Sequence, residues 1–184
     1  MVQTLQDGVH SLRSDSQSAQ LWNTYVEQSP NAGFYHRFEW KQVNESEFGH
    51  STHYLAAIRG GVVEGVLPLV EIRSRLFGHI LCSMPFVNYC GLSASDSGTG
   101  SQLLQKAYEI TADAGAGYME MRGLGVADAS LPVSQDKVSL TLNLATDPDE
   151  IWNSFKSKHR TNIRRVYKFG LTVQSGHLDL LDTF

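Results

Sequence analysis

No run in this chain approaches the roughly 18 consecutive apolar residues of a membrane-spanning helix. The opening MVQTLQDGVHSLRSDSQ has neither the charged start nor the apolar stretch of a secretory signal. A cytoplasmic protein without a membrane span is the expectation. Cysteine is scarce: Cys82 and Cys90 are the two present. Eight residues apart on either side of Pro85, they can pair only across a sharp turn, so reduced thiols are expected. The seven histidines (His10, His36, His50, His53, His79, His159, His177) show no metal-ligand spacing, and no Cys or Asp/Glu pair completes a metal site. There is no G-x-S-x-G, which argues against a hydrolase nucleophile elbow.

What is present is an ordinary globular composition, 41% hydrophobic and 18% charged over 184 residues. That holds one full domain, or one domain and the start of another. A pI near 5.9 argues against nucleic-acid binding by the whole surface and leaves room for one local basic site. Such a site stands out in WNSFKSKHRTNIRRVYK. From 156 to 168 it carries Lys156, Lys158, Arg160, Arg164, Arg165 and Lys168 and no acid, in a chain of net charge −4. Read as one helix, Trp152, Phe155, His159, Ile163 and Val166 form an apolar face. Lys156, Arg160, Arg164 and Lys168 follow at four-residue steps beside it, where like charges repel by about 0.2–0.5 kcal/mol per pair. An unrelieved row of this kind suits an external anion; the alternative is a solvated helix face with nothing bound.

The rest of the chain reads as a mixed α/β domain. SAQLWNTYVEQSP is a helix with Ser18 as a possible N-cap, and FYHRFEWKQVNESEFG is a second short helix closing near Gly49. HYLAAIR and VVEGVLPLVEIR, joined by Gly60-Gly61, form a β-hairpin. Pro68 lacks a ladder donor and points to an edge strand or a bulge. Ile80-Leu81-Cys82 is apolar on both faces, as in a central strand covered on both sides. In SGTGSQLLQKAYEITADAGA, Leu103, Leu104, Ala107, Ile110 and Ala114 form the inward face of a helix capped by Ser97 or Thr99. GYMEMRGL is a strand, and KVSLTLNL alternates strictly, as a half-buried strand does. Thr146 or Asp147 caps the basic helix, with Pro148 first in it, and LTVQS is a last short strand. The expected architecture is a mixed, largely antiparallel sheet flanked by helices. HLDLLDTF opens an amphipathic turn at the end of the chain, which reads as a fragment of something longer.

Three further places attract functional readings. Gly98 and Gly100 precede a helix, where backbone N–H groups can meet a phosphate; a plain glycine loop capped by Ser97 or Thr99 is the commoner reason for such a pattern. Asn88 and Tyr89 lie beyond a central strand, where α/β sheets tend to bind ligands, or they simply close a turn. Lys41 beside Trp40 is a substrate-binding candidate or an ordinary surface lysine. Glu120 and Arg122 on one strand read as a cross-strand ion pair or as cleft residues.

Together FYHRFEWKQVNESEFGH, VLPLVEIRSRLFG, MPFVNYCGL and KSKHRTNIRRVYKFGLTV resemble the FemAB-like proteins, a family built from two GNAT-type domains. The last segment is the most specific, matching a Lys-x-Arg-x-x-Ile-Arg-x-x-x-Lys-x-Gly run with Lys158, Arg160, Ile163, Arg164, Lys168 and Gly170. The pattern is most similar to the branch found beside exosortase and exopolysaccharide genes. The resemblance implies that residues 1–145 are a first GNAT-like domain and 146–184 the start of a second. It implies transfer of an acyl or aminoacyl group to an amine on a peptidoglycan or exopolysaccharide precursor. Acyl-CoA or aminoacyl-tRNA would be the donor, and no cofactor would be permanently bound. Partners would be a phosphorylated or nucleotide-linked substrate and, as donor, tRNA. Lys41, Asn88, Tyr89, Lys158, Arg160 and Arg164 are the substrate-binding candidates; the catalytic residue is unassigned. Gly98 and Gly100 match the GNAT acyl-CoA loop, but Ser95 stands where that loop has Gln or Arg. A non-catalytic module whose basic helix binds an acidic partner or RNA is the alternative.

Overall fold

The computed structural model describes residues 6–76, 78–123, 131–134, 138 and 140–183. The chain divides into two compact units, Met1–Ser139 and Leu140–Phe184, each described by itself below.

The first unit is built on one open sheet. Its strands are β1 (Gly8–Ser11), β2 (Ser51–Arg59), β3 (Val62–Ser74), β4 (Gly78–Cys82), β5 (Ser93–Ala94) and β6 (Tyr118–Glu120). The order is β1-β2-β3-β4-β6, with β5 pairing the other end of β3. Every pairing is antiparallel except β4 with β6. This is the mixed, largely antiparallel sheet expected of a GNAT-like domain. Gly60 and Gly61 turn the β2–β3 hairpin with φ of 57° and 79°, values that suit a residue without Cβ.

Helices cover both faces. α1 (Ser16–Gln28) packs Trp22 and Val26 against Tyr54, Ala56, Val66 and Val70. Trp22 is fully buried and donates its indole N–H to His36 O at 2.5 Å, which satisfies the one polar atom it brings inside. On the opposite face α3 (Ser97–Asp113) packs Leu103, Leu104 and Ala107 on Leu55, Leu67, Leu69 and Leu81. Two cores, one on each face, explain why β3 is apolar through most of its length.

Several local expectations are corrected. Asp15, not Ser18, caps α1, accepting from Ser18 N–H; Asp96, not Ser97 or Thr99, caps α3. In both cases the carboxylate sits three residues before the N–H it satisfies. The second helix is a 3-10 turn at Phe34–His36, then α2 (Glu39–Gln42) running into a π turn at Val43–Glu47. Pro68 lies in a central strand. Tyr54, opposite it, gives its carbonyl to Leu12 of the β1 side, so Pro68 faces away from β2. There β3 pairs β5 up to Val66 and β4 from Val70, and Pro68 occupies the gap where no ladder bond is required. Glu120, the last residue of β6, pairs with Arg122 two residues further along the chain (2.7 Å), not across strands.

In the second unit Asp147 caps α4 (Pro148–Ser154), and α5 (Ser157–Val166) leads into a 3-10 turn at Tyr167–Phe169. The single basic helix is therefore two. Ser154 Oγ donates to Ile151 O at 2.6 Å, taking the carbonyl that would continue α4, and Phe155 N turns to Trp152 O instead. Neither helix buries a residue, so the expected apolar face of Trp152, Phe155, His159, Ile163 and Val166 is not seated in a core. The expected KVSLTLNL strand is also absent: Val138 and residues 140–144 are irregular, with Val138, Leu140, Leu142 and Leu144 exposed, while 137 and 139 lie outside the described residues. Alternation alone does not make a strand without a partner edge. LTVQS after Gly170 likewise forms no strand.

Candidate functional site

Between β4 and β5 the chain leaves the sheet over 83–92 and returns to it. Two bulky residues there, Met84 (φ 53°) and Phe86 (φ 67°), are left-handed, at a cost of about 1–2 kcal/mol each. The surroundings hold them. Ser83 N donates to Glu120 O (2.9 Å), Arg122 N to Ser83 Oγ (2.8 Å) and Cys90 N to Arg122 O (2.7 Å). Tyr54 donates its hydroxyl to Met84 Sδ at 3.2 Å, and burial pushes the Tyr54 phenol well above its usual range. Buried His36 receives Gly33 N–H on Nδ1 (3.2 Å), so its proton resides on Nε2, which donates to Gly91 O (3.1 Å). Burial lowers its pKa, partly offset by the Gly91 bond, so a neutral ring is held in place. Cys82 and Cys90 are free and buried; burial raises the Cys82 thiol to about 11 and Cys90 further, so neither is a ready nucleophile.

The excursion delivers the chain into β5. Ser93 and Ser95 face β3, Ser95 N donating to Glu64 O at 2.8 Å, so Ala94 between them directs its N–H and C=O outward. Ser93 Oγ is fixed by Tyr25 OH (3.0 Å) and Ser29 Oγ (3.2 Å). Beyond that edge lies a hollow of about 460 Å³ lined by Asn31, Leu92, Ala94, Asp96, Ser97 and Ser101. An open strand edge beside a helix start is a place where an amide-bearing chain can add as a further strand.

Gly98 and Gly100 fall in the first turn of α3. A Cβ on Gly100 would press on Leu92 Cδ2 at 3.3 Å, so that glycine lets the helix approach β5. Asp96 Oδ1 accepts from Thr99 N (2.8 Å) and Oδ2 from Thr99 Oγ1 (2.9 Å). Those bonds lower the Asp96 pKa, so a charged carboxylate already occupies the helix start. A phosphate there meets a like charge.

Lys41 is not a surface lysine. It is 4% exposed, and its Nζ lies 2.6 Å from Glu45 Oε1 and 2.5 Å from Thr52 Oγ1. Asn88 is exposed; Tyr89 is half-buried and meets Tyr35 edge-on at 5.8 Å, within a group that includes Phe34 and Trp40. Lys158, Arg160 and Arg164 lie on α5. Arg160 Nη1 donates to Asn153 O at 3.2 Å and the Arg164 guanidinium sits 5.2 Å from the Trp152 ring centre. Among the described residues none of the six cations of 156–168 has a carboxylate within ion-pair distance.

One cluster escaped the sequence reading. Glu71 of β3 is buried with His79 Nε2 and the Arg73 guanidinium on Oε1, and His53 Nε2 3.9 Å from Oε2. A lone acid inside VLPLVEIR was its signal, but His53 and His79 come from the adjacent strands β2 and β4, whose register no spacing reveals. Among the described residues no group of three His, Cys, Asp or Glu is arranged to hold a metal ion.

Fold and edge define a mixed α/β protein with an open strand beside a capped helix start. No family model and no curated protein matches the chain. Among solved structures, a ribosomal-protein-alanine N-acetyltransferase from Brucella melitensis biovar Abortus 2308 aligns at 12% identity with a TM-score of 0.44, over 75% of this chain and 97% of that one. At that distance the likeness carries no argument about chemistry.

Proposed function

We propose that this chain belongs to an acyl- or aminoacyltransferase of GNAT type that forms an amide on a phosphorylated cell-envelope precursor, of peptidoglycan or exopolysaccharide. In this reading 1–145 is the first GNAT-like domain and 146–184 opens a second, as in FemAB-like proteins. The observation that carries it is the outward backbone of Ala94 over the hollow at the start of α3. An acyl donor with an amide-bearing arm pairs there without disturbing β3, because the ladder uses Ser93 and Ser95. The acceptor amine then attacks the donor carbonyl and forms the C–N bond, the acyl C–O or C–S bond breaks, and the proton lost from the amine ends on the departing tRNA hydroxyl or CoA thiol. Positioning and donors aimed at the developing oxyanion supply most of such a rate enhancement. Asp96 disfavours donor phosphates at α3, as does Ser95 in place of Gln or Arg. The guanidinium groups of Arg160 and Arg164, which meet no carboxylate among the described residues, suit a phosphorylated substrate through bidentate bonds together with Lys158.

The test is binding and turnover with an acyl-CoA and with an aminoacyl-tRNA, comparing the natural chain with Ala94→Pro. The variant removes one outward N–H and no ladder bond. Donor affinity should fall at least tenfold with the melting temperature little changed. Equal affinity in both chains defeats the reading. A second reading, a module that only binds RNA or an acidic partner, is favoured by the exposure of α5. It requires salt-sensitive binding and no turnover with either donor.

A further inference from the structure

The turn after α5 exposes apolar side chains that acyl transfer does not use. Ile163 and Val166 share one face of α5 with His159, all exposed, and Tyr167 and Phe169 follow at 76% and 72% exposure, with Leu171 and Val173 exposed beyond. Helical spacing puts Lys158 and Arg165 on one flank of this stripe, Arg160 on the other, and Arg164 and Lys168 on the far side. We propose that α5 and the Tyr167–Phe169 turn form a docking surface for an anionic lipid bilayer, lying in the headgroup plane with Ile163, Val166, Tyr167 and Phe169 inserted.

Charge complementarity names the occupant. Among the described residues the side chains of Lys156, Lys158, Arg165 and Lys168 have no hydrogen-bond or ion-pair partner, in a chain whose remainder sums to −10. A short helix with few apolar residues, a dense cationic face and aromatics beside it is the pattern of an interfacial helix. No described helix is long and apolar enough to cross a membrane, so the contact is with the surface. RNA would draw on cations and stacking rings together on one face, whereas here the apolar stripe and the Arg164–Lys168 side are opposed. A second copy packed α5 on α5 would bring the same cations and repel them. Only Lys158 is shared with the acyl-transfer reading, which otherwise concerns Arg160, Arg164 and the edge at Ala94, and the variants below leave it in place.

The experiment is vesicle flotation of the whole chain with pure phosphatidylcholine and with phosphatidylcholine containing about 30% phosphatidylglycerol, at low and high salt. Binding should need the anionic lipid. Lys156→Ala with Arg165→Ala should weaken it about tenfold or more, and Val166→Ser with Phe169→Ser, which changes no charge, should do the same. Absence of binding to anionic vesicles overturns the proposal, as does binding that the Ser substitutions leave unchanged. So does a chain that those substitutions convert from dimer to monomer while vesicle binding persists. Turnover of a soluble donor without vesicles reads the acyl-transfer proposal separately.

Discussion

Asp96 is joined to Thr99 twice, by Oδ1 to the backbone N–H at 2.8 Å and by Oδ2 to the hydroxyl at 2.9 Å. The helix start that glycine spacing marks as a phosphate site is thereby filled from within the chain. Asp96→Asn keeps the cap and removes the charge. It should melt close to the natural chain and gain stabilisation by inorganic pyrophosphate, which the natural chain should lack. Asp96→Ala should lower the melting temperature. Thermal melts with and without pyrophosphate read both.

Lys41 and Glu45 form a pair of unequal burial, the ammonium inside and the carboxylate one-third exposed. Removing the carboxylate strands a buried charge; removing the lysine leaves Glu45 with Ser14 and Thr52 as donors. Glu45→Gln should therefore cost about 2 kcal/mol, discounted from a fully buried pair, and Lys41→Met about 1 kcal/mol or less. Urea unfolding of the two variants decides; the reverse order contradicts this account of Lys41.

Gly65 lies where α3 crosses β3. A Cβ there would stand 2.9 Å from Leu103 Cδ1, 3.0 Å from Thr99 Cγ2 and 3.1 Å from Ser93 O. The last of these is backbone and cannot step aside. Gly65→Ala should destabilise by about 1–3 kcal/mol, read from the shift of the urea midpoint.

Much of the fold was legible because its signals are local. Gly60-Gly61 dictates the hairpin, and Leu103, Leu104 and Ala107 mark the buried face of α3. Other features were settled by partners distant in sequence. Pro68 is tolerated in a central strand because β4 and β5 part there, and nothing near Pro68 reports that gap. Lys41 reads as a surface residue until Thr52 arrives on β2. The alternation of Val138, Leu140, Leu142 and Leu144 is a strand pattern with no edge to join. The six cations were visible, but Ser154 breaks the helix that was to align them. Ala94, in a two-residue strand, carried no signal at all.

His36 and His53 both have pKa values lowered chiefly by burial. Each binds a proton more readily unfolded than folded, so the stability each contributes is complete above the unfolded value near 6.5 and declines as pH falls through the lower folded value. Urea stability should drop between about pH 7 and 5. His36→Gln, whose amide can replace the Nε2–H bond to Gly91 O, should flatten part of that slope and leave the part due to His53. The lowered carboxylates of Glu45 and Glu71 add a second loss below their usual range near 4.5.

The central claim concerns one backbone amide, and its hydrogen exchange tests it most directly. Alone, β5 offers the Ala94 N–H no strand partner, and it should exchange rapidly, while Ser93 and Ser95 beside it are protected by β3. With saturating acyl-CoA or aminoacyl-tRNA, whichever is turned over, Ala94 should become protected. If the product amide forms while Ala94 exchanges as fast as in the free chain, the donor does not lie on this edge and the account is wrong.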